Sequence, residues 1–225
     1  MKKTFVWIAM LAFAGAQANA ATITWGTAQD INIGATGGTD VSTQGSLVAA
    51  LNVGDTNNSP TVNGVVFAAD DGSSSINPAG NAYDFANPGD FADADYDVLL
   101  HRAVSYTQSI TLNSLTSGQE YLVQVWGNDS RNLGTTDRHY TLDGAGDIYV
   151  SAAGTDAVGQ TIIGTFVADA TSQTITLAGY NGTADMADAV VVNAVQVRAI
   201  PEPATLGLIG MSATLVIFIR RQLMI

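Results

Sequence analysis

The chain has 225 residues, eight Lys and Arg against twenty Asp and Glu, a net charge of −12 and no cysteine. The lack of cysteine excludes a disulfide scaffold, a cysteine zinc finger and a thiol enzyme, and the acidity excludes nucleic acid as an expected partner because phosphates repel it. Residues 21–200 alone hold four arginines, no lysine and nineteen acids, so their charge is 4 − 19 = −15, and they are enough to bury one core.

Residues 1–20 have the layout of a secretory signal peptide. Two lysines precede an apolar run over residues 5–16, and Ala18 and Ala20 put small side chains at the two positions that signal peptidase requires. The sequence therefore predicts export, with signal peptidase cutting after Ala20. A retained membrane anchor is the alternative, and the shortness of the run and its small-x-small site disfavour it.

Residues 21–200 are predicted to form an acidic all-β domain. Short runs rich in Val, Ile, Thr and aromatic residues alternate with Gly, Asn, Asp and Ser clusters, and no long stretch has apolar residues at helical spacing. The predicted strands are Thr22–Trp25, Leu47–Val53, Val62–Ala68, Tyr96–His101, Gln108–Leu112, Glu120–Trp126, His139–Leu142, Asp147–Ser151, Gln160–Ala168, Gln173–Leu177 and Val190–Arg198. Their spacing of about 8–15 residues is typical of a β-sandwich or jelly roll.

The strand predicted at residues 120–126 has bulky apolar side chains on both faces. Because successive side chains of a strand point to opposite faces, one face has Tyr121, Val123 and Val125 and the other has Leu122 and Trp126. A strand that is apolar on both faces is buried on both, so we expect it to lie in the centre of a sheet.

The stretch from Ile110 to Arg131 carries a resemblance around this strand. A strand-like Ile-Thr-Leu at residues 110–112 leads through a turn containing Gly118 into the central strand, which ends in Asn-Asp-Ser-Arg at residues 128–131. This layout resembles the strand-turn-strand of secreted bacterial β-sandwich modules of galactose-binding-like or malectin-like type. The resemblance implies a sandwich whose binding loops lie near the end of the central strand.

Alternating acids lie at the end of a long stretch without a predicted strand, residues 70–95. Hard cations such as calcium need several oxygen ligands, and alternate acidic residues on a loop supply them. The spacing of Asp93, Asp95 and Asp97 therefore predicts a calcium site, although Val98 stands where an EF-hand loop has glycine. The alternative is a set of solvated acids on a loop of an acidic protein.

A second cluster, Trp126, Asp129 and Arg131, lies where the central strand ends. Sugar recognition uses an aromatic face for stacking and planar polar groups for paired hydrogen bonds to hydroxyls. The cluster therefore predicts a lectin-like polysaccharide site. The alternative is that Trp126 belongs to the core and that Asp129 and Arg131 form an ion pair that stabilises the loop.

The sequence offers little for catalysis. Residues 21–200 contain no Gly-x-Ser-x-Gly motif, and the two histidines, His101 and His139, lack metal-ligand spacing. Glu120, the one glutamate of this part of the chain, directly follows a turn and simply begins a strand. We therefore expect no enzyme. A glycan-active hydrolase or lyase that uses aspartates of residues 70–97 is the alternative.

The last 25 residues combine three features in order: Pro201, Glu202 and Pro203, then an uncharged stretch over residues 204–219, then Arg220 and Arg221. A helix over 204–219 would be about 24 Å long, and it spans a hydrocarbon core of about 30 Å if the arginines snorkel. The charge bias puts the arginines on the cytoplasmic side and the acidic domain outside. A buried core helix is the alternative, disfavoured because the stretch is apolar on all faces.

These three features resemble the PEP-CTERM sorting signal of Gram-negative bacteria, over residues 201–225. The resemblance implies transient anchoring in the inner membrane by the transmembrane helix, recognition of Pro-Glu-Pro by an exosortase and removal of the tail. It also implies export to the cell surface or to an exopolysaccharide biofilm matrix. The four residues after Arg221 depart from the pattern, since family members usually end soon after the basic cluster.

These expectations give one functional hypothesis with two alternatives. The first is an exported, non-catalytic surface or matrix protein, sorted by an exosortase, that binds polysaccharide. The alternatives are the glycan-active enzyme and a purely structural surface protein without a ligand.

Overall fold

The computed structural model describes residues 21–34, 38–78, 80–85, 91–131, 138–151, 159–180 and 190–201. The strands in these ranges are β1 (Thr24–Trp25), β2 (Gln29–Asp30), β3 (Ser46–Asn52), β4 (Thr61–Val62), β5 (Val65–Val66), β6 (Ala68–Ala69), β7 (Ile76–Pro78), β8 (Asn81–Asp84), β9 (Arg102–Ser105), β10 (Ser109–Leu112), β11 (Glu120–Gly127), β12 (Arg138–Leu142), β13 (Gly146–Ser151), β14 (Gln160–Val167), β15 (Gln173–Tyr180), β16 (Val191–Val192) and β17 (Ala194–Ala199). A single helix, α1 (Ala94–His101), accompanies them in the described ranges.

Two mainly antiparallel sheets pack face to face. The large sheet has the order β1-β14-β11-β17-β3-β6, with β2 beside β14, and the small sheet has the order β13-β12-β15-β10-β7. Their inner faces share one apolar core, to which β11 contributes Val123 and Val125 and the small sheet contributes Tyr140 and Ile175. The prediction of an all-β, sandwich-like fold is therefore confirmed.

Strand β11 is the central strand that its sequence predicted. It pairs along its length with β14 on one side and with β17 on the other. Val123 and Val125 face the core between the sheets, whereas Trp126 lies in a second apolar cluster on the outer side of the large sheet, together with residues of α1. Burial on both faces explains why the strand has apolar residues at successive positions.

A polar network covers part of that outer side. Gln124 donates from Nε2 to the carbonyl of Asp40 (2.8 Å) and accepts at Oε1 from Nε2 of Gln196 (2.7 Å). Arg198 donates to three successive carbonyls, at residues 43–45, over 2.8–3.2 Å. The segment of residues 40–45 is thus fastened across the large sheet, and these buried amide groups are satisfied by one another.

Helix α1 replaces the strand predicted at residues 96–101, so that prediction is wrong. Asp93 is extended (φ −85°, ψ 118°), and its carboxylate accepts from the backbone N–H of Tyr96, as an N-cap residue does. Tyr96, Leu99 and Leu100 are buried, at the i, i+3, i+4 spacing of a helix face. This spacing was present in the sequence, but only one turn long, so the apolar run was mistaken for a strand.

Two other stretches differ from their predictions. The stretch of residues 70–95 contains β7 and β8, and Pro78 lies in β7 at the edge of the small sheet, where its missing N–H costs no hydrogen bond. The strand predicted at residues 62–68 is divided into β4, β5 and β6, because Asn63 (φ 48°) and Gly64 (φ 75°) form a tight hairpin turn.

The predicted targeting segments lie outside the described residues. Ala18, Ala20, Glu202, Pro203, Arg220, Arg221 and the transmembrane helix at 204–219 all fall there, whereas Pro201 is described and exposed. Within the described part of the chain, no helix is long and apolar enough to cross a membrane.

Candidate functional site

The two ends of β11 define two poles of the sandwich. At the terminal pole, where β11 begins at Glu120, the chain enters the sandwich at Ala21 and leaves it at Ile200. The N–H of Ile200 donates to the carbonyl of Glu120 (2.9 Å), and Ala21 and Glu120 line the same shallow surface depression. The opposite pole, where β11 ends at Gly127, is about 25 Å away, given eight residues of strand.

The opposite pole holds the predicted pair Asp129 and Arg131, and the structure brings a third residue to it. The carboxylate of Asp129 has 1% of its area exposed and accepts from Nε and Nη2 of Arg131, both at 2.8 Å. Nη1 of Arg138 also donates to Asp129. The hydrogen bonds that Arg131 donates to Asp129 raise the pKa of the Arg131 guanidinium. The ion pair that was the alternative for Asp129 and Arg131 is therefore present, and their part in ligand binding stays a prediction.

Arginines are concentrated at this pole. The guanidinium of Arg131 lies over the Phe85 ring, 4.4 Å from its centroid, and the Arg102 guanidinium lies 3.2 Å from Asp84 in the strand that precedes Phe85. Together with Arg138, three of the four arginines of residues 21–200 are therefore at the opposite pole. Most of the cationic side chains of residues 21–200 thus lie at the end of the sandwich away from Ala21 and Ile200.

Trp126 is a core residue and offers no open face to a sugar. Its side chain is fully buried, and its indole N–H donates to the hydroxyl of Tyr96 (3.1 Å), which in turn donates to Asp40 (2.8 Å). Burial raises the pKa of Tyr96 well above its usual value and also raises that of Asp40. This overturns the expectation that Trp126 stacks on a ligand: the indole fills the space between the large sheet and α1.

The three aspartates of the predicted calcium site do not converge. Asp93 caps α1, while Asp95 accepts from the N–H of Thr61 (3.4 Å) and Asp97 from that of Phe91 (3.2 Å). Among the described residues, no group of three acidic or histidine side chains is arranged to hold a metal ion. The alternation that suggested a set of calcium ligands is instead the first turn of a helix, where acids are favoured by the helix dipole.

A row of aromatic rings, which the sequence did not identify as a site, lies on the outer face of the small sheet at the opposite pole. His139 pairs in register with Tyr149 on β13 and with Tyr180 on β15. The ring centroids are 4.9 Å apart for His139 and Tyr149 and 5.0 Å for His139 and Tyr180. We call these three residues the ring row. The three residues lie in separate strands, so only the register of the sheet brings them together.

The comparisons with known proteins add structural neighbours of low similarity. No family model matches the chain, and no curated protein matches it. A β-glucuronidase of Bacteroides uniformis is similar at 12% identity and a TM-score of 0.41, and a calcium binding mutant of Bacteroides uniformis β-glucuronidase 2 at 12% and 0.45. In both cases 68% of this chain is covered, and the chain spans 18% of the glucuronidase. The plant receptor-like kinase FER is similar at 13% identity and a TM-score of 0.35, over 69% of this chain and 50% of the kinase.

Proposed function

We propose that the protein is an exported, non-catalytic component of the cell surface or extracellular matrix. In this proposal, signal peptidase removes residues 1–20, the tail holds the protein transiently in the inner membrane, and an exosortase then sorts it. The exported domain binds polysaccharide through its opposite pole.

The observation that carries the proposal is the shared position of the chain's entry and exit. Ala21 and Ile200 both lie at the terminal pole, so a tether attached after Ile200 leaves the opposite pole facing away from the membrane. That pole holds the partly exposed Arg131 and Arg138 and the ring row, which are polar and aromatic groups of the kinds that bind sugars.

Three described aspartates of residues 70–97 have structural contacts, which supports a non-catalytic role. Asp70 accepts from the N–H of Gly54 (3.0 Å), Asp71 accepts from Ser73 (2.9 Å), and Asp93 caps α1. Glycoside hydrolysis needs two carboxylates free to face one glycosidic bond. These acids instead hold loops and a helix end in place.

Intact mass and cell fractionation test the proposal, in the native host and in a strain without its exosortase. We expect a mature form that begins at Ala21, is truncated near Pro201 and is found outside the cell, where it sediments with exopolysaccharide. A full-length tail that stays in the inner membrane in both strains would overturn the sorting. Release of reducing ends from the host exopolysaccharide would overturn the non-catalytic role.

A further inference from the structure

The ring row forms a continuous aromatic surface across three strands. Tyr149, His139 and Tyr180 project from the outer face of the sheet, since the residues beside them in their strands, Ile148, Tyr140 and Gly179, are buried. Tyr149 has 36% of its area exposed. Neighbouring strands are about 4.8 Å apart, so the row is roughly 10 Å long, enough for more than one sugar unit of an extended chain.

Among the described residues, the neighbours of the row toward the terminal pole are small or polar. The next outward positions toward the terminal pole are Thr141 and Ala178, which are paired in register and are smaller than the rings. Asp147, exposed and paired with Thr141, lies on the same side of the row. Aromatic faces with a few polar groups beside them suit the apolar faces and hydroxyl edges of sugars.

Charge decides between classes of polysaccharide. The chain has a net charge of −12, and residues 21–200 have −15, so its field repels an acidic polymer. The arginines do not offset this repulsion locally. Asp129 neutralises part of the charge of Arg131 and Arg138, and the acidic Asp147 lies beside the row. Of a neutral and an acidic polymer, the neutral one meets this surface without an electrostatic cost.

We infer that the ring row binds a neutral polysaccharide, whose chain lies across Tyr149, His139 and Tyr180. The inference rests on the proposed function, for which it names the site and the ligand class. Sugar rings stack on the tyrosines, while the exposed Asp147 is placed to hydrogen-bond hydroxyls at one side of the row.

Binding of two neutral polymers and one acidic polymer tests the ligand class. The protein is purified in the form found in its host and measured by affinity electrophoresis and calorimetry against neutral hydroxyethyl cellulose and galactomannan, and against acidic carboxymethyl cellulose. We expect a neutral polymer to bind with an affinity that hardly changes between about 50 and 500 mM salt, because salt screens interactions between charges and a neutral polymer has none. Carboxymethyl cellulose should bind more weakly, most clearly at low salt.

Variants of the row test the site. Tyr149→Ala and Tyr180→Ala should each weaken binding of the neutral polymer roughly five- to tenfold, the size expected for loss of one aromatic contact. Tyr149→Phe retains the ring and should bind like the wild type, as should Val167→Ala, which changes an exposed apolar residue near the terminal pole. Thermal melting of each variant shows whether the fold is kept, and Tyr149→Leu replaces the Ala variant if that one melts early.

Each contrary outcome overturns the inference. Stronger binding of carboxymethyl cellulose, no binding of either neutral polymer, or unchanged affinity in both Ala variants would do so. A size-exclusion shift from oligomer to monomer in Tyr149→Ala would show that a second copy covers the row. If the host exopolysaccharide still binds when both ring variants behave as wild type, the site is wrong and the proposed function stands. If no polysaccharide sediments with the exported protein, the proposed function fails too.

Discussion

The two poles of the sandwich are closed by different interactions. At the terminal pole, the hydrogen bonds come from backbone groups and a neutral side chain. The Ile200 N–H donates to the carbonyl of Glu120, and Gln119 Nε2 donates to the Ile200 carbonyl (2.6 Å). At the opposite pole, the buried carboxylate of Asp129 joins the end of β11 to Arg131, which follows β11, and to Arg138 in β12 of the small sheet. Asp129 also donates its N–H to the carbonyl of Val150 (2.7 Å).

This difference matches the roles proposed for the two poles, anchoring at the terminal pole and recognition at the opposite pole. Backbone hydrogen bonds depend little on side-chain identity, so the terminal pole needs few particular residues to hold the chain's entry and exit. The opposite pole depends on charged partners that are costly to leave unpaired when buried. Changes in sequence should therefore be tolerated at the terminal pole and destabilising at the opposite pole.

The largest expected effect is at Asp129. Asp129→Ala should lower the free energy of unfolding by about 3 kcal/mol, because it leaves two arginines without the buried carboxylate that holds them. Chemical denaturation measures the change. The exposed Asp169, which lines the depression at the terminal pole, provides the control: Asp169→Ala should stay within about 0.5 kcal/mol of the wild type. Equal effects of the two variants would remove the contrast between the poles.

Trp126→Phe should have the next largest effect. The variant loses the indole hydrogen bond to Tyr96 and part of a fully buried side chain, which together should cost about 2 kcal/mol. Denaturation measures the stability and polysaccharide binding measures the function. We expect binding by the folded variant to be unchanged, and a loss of affinity without loss of stability would return Trp126 to the binding surface.

Asp93 distinguishes a helix cap from a calcium ligand. Asp93→Ala should destabilise the protein by about 1 kcal/mol, whereas Asp93→Ser should lie within a few tenths of the wild type, because serine caps helices about as well as aspartate. Melting temperatures with EDTA and with millimolar calcium complete the test. A calcium-dependent rise in melting temperature that Asp93→Ser abolishes would contradict the assignment as a cap.

The smallest effect concerns pH and Asp40. Desolvation raises the pKa of Asp40 above its ordinary value of 3.8, so the folded state binds its proton more tightly than the unfolded state. The resulting contribution to stability is present at low pH and is lost as pH rises through the raised folded-state pKa. Melting of wild type and Asp40→Asn from pH 3 to 7 measures it. We expect the wild type to lose stability relative to the variant as pH rises, and parallel profiles would contradict this.

The sequence predicted the sheets better than the site. The run at residues 173–177 alternates and the run at 120–126 is apolar at successive positions, and both were recognised as strands, although β15 continues to Tyr180. The helix was missed because it is one apolar turn long, next to a strand. Trp126 was placed in a ligand site because the sequence at the end of a strand is the same whether the last side chain is buried or exposed. Only the position of α1, which covers Trp126, shows that the side chain is buried.

The ring row was beyond sequence reasoning for a related reason. His139, Tyr149 and Tyr180 come from three strands, and only pairing in register places the rings side by side. A one-residue shift in register would turn each of them toward the core. Asp129 and Arg131, two residues apart, were by contrast predictable as a pair from local spacing alone.

Hydrogen exchange of the exported protein, with and without the host exopolysaccharide, tests most directly whether the opposite pole is the recognition surface. Bound polysaccharide should slow exchange of amides in residues 127–131 and 138–151 and at the end of β15, and should leave those near Ala21 and Ile200 unchanged. Slowed exchange confined to the terminal pole, or no change anywhere despite saturating polymer, would contradict the account.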